Sequence, residues 1–405
     1  MTSVRGWIWR WSSVLVVALA AATVTVYPTY SNWPPIRSDG CGYHIWTYAI
    51  LKGDLSFSWY EGEPSDVALH QPDPDVKRYT CKYPLGVALI RLPVMACVTD
   101  SSRNGLPYSP AEHWACLALG ALALVATVLL CLDACYKVGA SPLWANASVL
   151  MLTFGTGLYS YGTYDASFSH VYSALLAAGL MWLAVRAANL KRPLPLAPVV
   201  ALVALLLLVR TTNVVLIGFW GFACAVWLSA GRQSPGFRLR ATGAAAVGVA
   251  LGLVVTLAVN REMFGRFTFY TYPGEEFHWN DPHLLLVLGG GKHRLFRYYP
   301  VMAVALLASL VARGTRLAAL GLLGVVAAYV VLYGHWWSWH LGDGFGHRGF
   351  LEAVPFAVPV LAKALSSMSR RVAITFTVLG VAATIYTIVQ TCLYWGGRSQ
   401  LTATF

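Results

Sequence analysis

Long apolar runs alternate with short polar breaks along almost the whole chain, at about residues 12–27, 84–98, 114–132, 143–160, 170–188, 195–209, 213–230, 242–263, 299–313, 316–333, 350–364 and 372–393. Each run suits a helical span or half-span, because ~20 apolar residues of α-helix cover the ~30 Å hydrocarbon core of a bilayer. Only 28–83 and 264–298 are sizeable polar inserts, and neither is large enough to fold as a soluble domain by itself. The pattern predicts an all-α polytopic membrane protein, one membrane-embedded unit over residues 1–405, without internal repeats or low-complexity tracts.

Composition agrees: 57% of residues are hydrophobic and 11% charged, where a soluble domain carries about 25% charged residues. The net charge of +12 would suggest nucleic acid in a soluble protein. Here the basic residues cluster in short connections instead, at Arg186, Lys191 and Arg192, at Arg232, Arg238 and Arg240, at Arg313 and Arg316, and at Lys363, Arg370 and Arg371. That is the positive-inside signal, and it excludes nucleic acid as the expected partner. With Arg5 and Arg10 also cytoplasmic, the outer loops are 28–83, 161–169, 264–298 and 334–349, and the C-terminus lies outside after about 11 transmembrane helices. Twelve apolar segments do not fit that parity, so one of 84–98, 114–132 and 143–160 is expected not to cross; 84–98 is short and carries Arg91. Residues 12–27 read as an uncleaved anchor, and the Arg- and Ala-rich composition suggests a bacterial inner membrane protein. Of the eight cysteines, Cys41 and Cys81 share the first outer loop and could form a disulfide or remain thiols. No CxxC pair points to zinc.

Most of the seventeen acidic residues fall in the outer loops. Ser38-Asp39-Gly40 opens the first, ahead of the aromatic run Tyr43-His44-Ile45-Trp46-Thr47-Tyr48, which has the spacing of an amphipathic interfacial helix. Asp39 either caps this helix or presents a carboxylate at the membrane surface. Glu61, Glu63, Asp66, Asp73 and Asp75 read as a solvated loop. Tyr161 to His170 holds Asp165, a second candidate acid or an N-cap, and His170, a pocket residue or a plain helix start. Arg210-Thr211-Thr212-Asn213 breaks an apolar run, as a tight turn or as a cavity lining with Arg210 facing an anion. Gly289-Gly290-Gly291-Lys292-His293-Arg294, followed by Arg297, has the residue types of an anion-binding loop, although glycine runs are usually only flexible. The run His335 to Glu352 combines tryptophans suited to an aromatic belt with four glycines around Asp343, His347 and Arg348, where a guanidinium at a helix start suits a lipid phosphate.

Taken in order, Ser38-Asp39-Gly40, Lys82-Tyr83-Pro84-Leu85-Gly86, Tyr161 to His170, and Phe345-Gly346-His347-Arg348-Gly349-Phe350 leading into Glu352 give the chain a pattern that resembles GT-C fold glycosyltransferases using polyprenyl-phosphate sugars. The resemblance is to bacterial relatives of protein O-mannosyltransferases and of the lipid A aminoarabinose transferase. It implies catalysis by Asp39 with Asp165, phosphate binding by Arg348, His347, Lys292, Arg294, Arg297 and Arg210, and an acceptor pocket with His44, Tyr83, His170 and Asp343. It further implies a polyprenyl-phosphate sugar donor, a glycan, lipid or protein acceptor, membrane lipids as surroundings, inversion at the sugar and no cofactor. Many O-mannosyltransferases carry a second acid directly beside the first; here that place is Gly40. The acid pairs of metal-dependent oligosaccharyltransferases are missing, so no metal is implied. The competing expectation is a transporter or flippase, which would favour inverted repeats and ionisable residues at mid-membrane.

Overall fold

The computed structural model describes residues 4–26, 34–70, 79–190, 192–224, 235–272, 274–290 and 294–396. Most of it is helical: α1 (Val4–Val26), α2 (Asp39–Lys52), α3 (Gly86–Met95), α4 (Pro110–Lys137), α5 (Pro142–Phe154), α6 (Leu158–Gly162), α7 (His170–Leu190), α8 (Leu196–Val209), α9 (Val214–Phe222), α10 (Pro235–Phe264), α11 (Leu295–Tyr298), α12 (Pro300–Val311), α13 (Arg316–Gly334), α14 (Val354–Ser367) and α15 (Arg370–Trp395). A short antiparallel pair, β1 (Leu69–His70) and β2 (Thr80–Cys81), closes part of the first polar insert.

Packing sorts the helices into a buried centre and a lipid-facing rim. α14 lies against α4, α5 and α12 and is buried almost throughout. Its Pro359 has no N–H, which frees the Pro355 carbonyl; that oxygen accepts from Cys131 Sγ of α4 at 3.8 Å. By contrast α10 and α15 leave Leu251, Val254, Val378, Leu379 and Ile385 exposed. Apolar side chains ranged along a whole helix in this way match hydrocarbon as their solvent.

Among the described residues, six helices are long and apolar enough to cross a membrane, seven if the bent pair Leu286–Tyr298 and Pro300–Val311 is one span. This is fewer than the eleven expected, and the difference lies in the shorter elements. Segment 84–98 forms the 10-residue α3, ~15 Å long and half a hydrocarbon core, with Arg91 buried against Cys116 of α4. Segment 143–160 divides into α5 and α6, whereas 114–132 lies within the 28-residue α4.

The first polar insert is more ordered than an interfacial helix on a solvated loop. α2 forms where expected, but residues 40–49 are all buried, so it is an internal helix and not an amphipathic one at the headgroups. Its apolar character continues around the whole circumference, and such a helix is enclosed. Trp46 donates its indole N–H to the Tyr83 carbonyl at 2.8 Å. Glu61, Glu63 and Asp66 are exposed as a solvated loop would have them; Asp73 and Asp75 lie outside the described residues. Cys41 and Cys81 are separate buried thiols, not a disulfide: Cys81 donates to the Gly42 carbonyl at 3.4 Å, and burial pushes both thiols up to about 12.

Candidate active site

All four inserts expected on one side of the membrane converge at one end of the helical bundle. Residues 276–283 run beside 334–337 with strand-like pairing: the His278 N–H donates to His335 O at 2.6 Å, the Trp337 N–H to Glu276 O at 3.0 Å and the His283 N–H to Gly334 O at 2.7 Å. Lys82 pairs with Glu275, joining the first insert to the third. Between them lies a cavity of about 420 Å³ lined by Asp39, Tyr83, Arg210, Arg348 and several aromatic rings.

Asp39 is the first residue of α2, after Ser38 at φ 47°, a left-handed value that is unusual for a non-glycine residue and typical of constrained sites. Its carboxylate does not cap the helix. Oδ1 accepts from the Tyr83 hydroxyl at 2.8 Å, and Oδ2 lies 2.6 Å from Arg348 Nη2. Burial and the charge of Asp39 push the Tyr83 phenol well above its ordinary range, so it remains a donor. Arg348 begins a 3₁₀ turn, Arg348–Ala353, that leads into α14, and its guanidinium carbon stands 5.1 Å from the Phe168 ring centre. The chain reaches it through Gly346 at φ +61°, where an added Cβ would meet the Tyr299 ring at 2.5 Å. Only glycine provides both that conformation and that space.

A second ion pair lies beside the first. Arg37 Nη2 is 2.6 Å from Asp165 Oδ1. Asp165 is buried, and desolvation raises its carboxyl above the usual range despite Arg37 and Arg348 nearby. The end of α15 closes over this pair: the Arg37 guanidinium carbon lies 5.1 Å from the Trp395 ring, Trp395 stacks on Tyr164 at 4.6 Å, and the Tyr394 hydroxyl donates to Asp343 O at 2.6 Å. Asp165 is therefore an ion-pair partner and no N-cap.

Behind the cavity wall, His170, Glu352 and Arg210 form a compact triad. His170 Nδ1 is 2.8 Å from Glu352 Oε1 and 3.0 Å from Arg210 Nη1, and Arg210 Nη1 is 3.5 Å from Glu352 Oε1. Arg210 combines the two expected readings, since it ends α8 at a 3₁₀ turn and also lines the cavity.

Other candidates lie elsewhere. His44 does not line the cavity; it is 3.0 Å from Glu112 Oε1, which also accepts from Tyr48 at 2.8 Å and Thr99 at 3.3 Å. Burial lowers its imidazole to about 4, so it is neutral there and donates a hydrogen bond to the carboxylate. His347 is buried and donates through Nε2 to Trp339 O at 3.0 Å, which supports the turn carrying Arg348. Asp343 is exposed, and neither it nor Arg294 or Arg297 lines the cavity. Lys292 lies outside the described residues. Among the described residues, no three His, Cys, Asp or Glu side chains converge to hold a metal ion.

The site contains two residues to which motif reading assigned no role. Arg37 stands in a Pro-rich stretch with no helical or motif signal. Glu352 did leave one: an acid inside the apolar run 350–364 is costly unless paired, and it falls four residues after Arg348.

No family model matches the chain, and no curated protein matches its sequence. Its fold is similar to that of the oligosaccharyltransferase AglB from Archaeoglobus fulgidus, solved in complex with an inhibitory peptide and a dolichol-phosphate. The TM-score is 0.53 at 12% identity, over 96% of this chain and 56% of that one. A second Archaeoglobus fulgidus oligosaccharyltransferase structure, tethered by a disulfide to an acceptor peptide containing the NVT sequon, aligns over 94% of this chain and 54% of that chain, at 12% identity and a TM-score of 0.48. The chain thus spans a little over half the length of these proteins, and its likeness to AglB is one of overall fold.

Proposed function

We propose that the protein is a membrane glycosyltransferase that moves a sugar from a polyprenyl-monophosphate donor to an acceptor hydroxyl, with inversion, on the outer face of a bacterial plasma membrane. The observation that carries this reading is the placement of Asp39 between Tyr83 and Arg348 at the wall of a cavity that also receives Arg210. The fold shared with an oligosaccharyltransferase solved in complex with a dolichol-phosphate supports it, as does the lipid-facing rim of α10 and α15.

In the proposed step, the acceptor oxygen attacks the anomeric carbon on the side opposite the phosphate. The carbon–oxygen bond to phosphate breaks, and both its electrons stay on the phosphate. The acceptor proton passes to Asp39, a base whose positioning is worth typically 10²- to 10⁴-fold. Charge moves in a way that Arg348 can follow, because Asp39 loses one negative charge as the departing phosphate gains one. A guanidinium between them passes from one oxyanion to the other without being left unpaired. Arg210 adds a second positive charge. The cavity's aromatic lining excludes water, which would otherwise compete as acceptor.

The test is transfer of radiolabelled sugar from a panel of polyprenyl-monophosphate donors, in membranes carrying matched amounts of wild type, Asp39→Asn or Arg348→Ala. Loss of transfer in Asp39→Asn with donor binding retained supports the reading, and equal transfer by this variant removes Asp39 from the chemistry. A transporter is the second reading, favoured by the buried His170–Glu352–Arg210 triad. It gains if no donor gives transfer and Glu352→Gln abolishes substrate movement in vesicles.

A further inference from the structure

The step above uses Asp39, Tyr83, Arg348 and Arg210, yet the same cavity has another chemically distinct wall. There Lys82 and Glu275 form an ion pair with side chains 21% and 15% exposed. Glu275 Oε2 accepts the indole N–H of Trp337 at 3.0 Å. Trp337 is 48% exposed, so its edge is fixed while much of its surface is open to a ligand. Lys82 Nζ stands 5.5 Å from the Tyr83 ring and 5.7 Å from the Tyr272 ring, and Tyr83 in turn holds Asp39. This wall therefore adjoins the reacting end.

A flat aromatic ring with an acceptor carboxylate and a donor ammonium beside it suits a sugar ring. The C–H face of the sugar covers the indole, and its rim hydroxyls donate to the carboxylate and accept from the ammonium. Other ligands fit this wall less well. A phosphate would be drawn to Lys82 but repelled by Glu275. An extended peptide needs free backbone groups, whereas His278 N–H pairs with His335 O and Trp337 N–H with Glu276 O. A membrane belt accounts for the exposed tryptophan, but not for a paired lysine and glutamate facing a cavity.

We propose that Trp337, Glu275 and Lys82 form a sugar-ring subsite. It deepens the glycosyltransferase reading and rests on it, since the ring belongs either to the donor's sugar or to an acceptor glycan. Sugar binding is nonetheless measurable apart from transfer.

The experiment is saturation-transfer NMR on the full chain in detergent, with methyl glycosides of glucose, galactose, mannose and arabinose, and a blocked Ala-Thr-Ala peptide as the alternative probe. At least one glycoside is expected to receive saturation on its ring protons. Binding should weaken roughly tenfold in Trp337→Ala and persist in Trp337→Phe, which keeps an aromatic face. The subsite is overturned if no glycoside is saturated, if only the peptide is, or if Trp337→Ala binds as wild type does. Farnesyl phosphate and its glycosylated form then distinguish the two sources. Displacement of the glycoside by the glycosylated lipid alone assigns the subsite to the donor's sugar, and a glycoside that stays bound assigns it to the acceptor. Glycoside binding without transfer from any donor would leave the subsite standing and remove the glycosyltransferase reading; transfer without glycoside binding would do the reverse.

Discussion

Arg348 and Asp39 meet at 2.6 Å, joining the lead-in to α14 with the first turn of α2, so the buried central helix and the first polar insert are tied together at the candidate reaction centre. Neither group is fully buried, with side chains 13% and 23% exposed, and the pair remains open to a competing anion. Arg348→Ala should weaken binding of a polyprenyl phosphate by 10-fold or more, because a hydrogen bond between charged groups is worth ~1.5–3 kcal/mol. Arg348→Lys should recover only part, since an ammonium lacks the planar fork. Binding of a fluorescent lipid phosphate to both variants measures this.

Tyr83→Phe removes the hydroxyl that donates to Asp39 Oδ1 and leaves the ring in place. Transfer should fall about tenfold through kcat, with donor affinity preserved, because the bond orients the base without touching the phosphate. Steady-state kinetics in proteoliposomes separates the two parameters.

Gly40 marks the close approach of α2 to the loop before α7. A Cβ there would lie 1.9 Å from Ser167 Oγ and 2.5 Å from Ser167 Cβ. Gly40→Ala should cost ~1–3 kcal/mol by overpacking and displace Asp39. Ser167→Gly in the same chain should restore much of the loss, a rescue readable in melting temperature and in transfer. The contact also gives a steric reason why a second acid beside Asp39 does not fit this chain.

Arg37→Ala leaves the Asp165 carboxylate buried without this partner and should destabilise by several kcal/mol, a loss that Asp165→Asn in the double variant should largely offset. Asp165 also has its own pH signature. Burial raises its carboxyl above the unfolded value, so its contribution to stability is fully present below the unfolded pKa and is lost as pH rises through the raised folded value. The stability of wild type relative to Asp165→Asn should therefore improve on acidification into the carboxylate range, as measured by thermal unfolding in detergent.

His44 behaves in the opposite sense. Its folded value of about 4 lies below the ordinary ~6.5, so the unfolded chain binds the extra proton first. The neutral, buried His44 contributes fully above pH ~6.5, and that contribution drains away as pH falls toward about 4. His44→Gln should be less acid-sensitive across this window while retaining transfer per folded molecule.

Much of the fold's character was legible in the chain, because apolar runs of helical length have few other solutions. So was the gathering of the four polar inserts at one end, which the alternation of polar breaks already implied. What the pattern could not give was depth. α2 read as interfacial although every residue from 40 to 49 is buried, and 143–160 read as one apolar stretch although it breaks into the 13-residue α5 and the 5-residue α6. Periodicity reports which faces are apolar, not how many neighbours cover them. Within the site, Asp39, Tyr83, Arg210 and Arg348 stood out because polar residues at helix ends in such a chain are few. Arg37 did not, since its importance comes from Asp165, far away in sequence. His44 looked like a pocket residue for the same reason: nothing local announced Glu112.

The last turn of α15 lies against the loops that hold the Arg37–Asp165 pair, through Tyr394 on Asp343 and Trp395 on Tyr164. This affects how the protein should be handled in the laboratory. A fluorescent or affinity tag joined directly after Trp395 would pull on these loops, next to the Arg348–Asp39 pair, and a defect in such a fusion would say little about the cavity residues themselves. The start of α1 is the safer attachment point, because Arg10 packs by Tyr136 near the end of α4 and no residue of α1 lines the cavity.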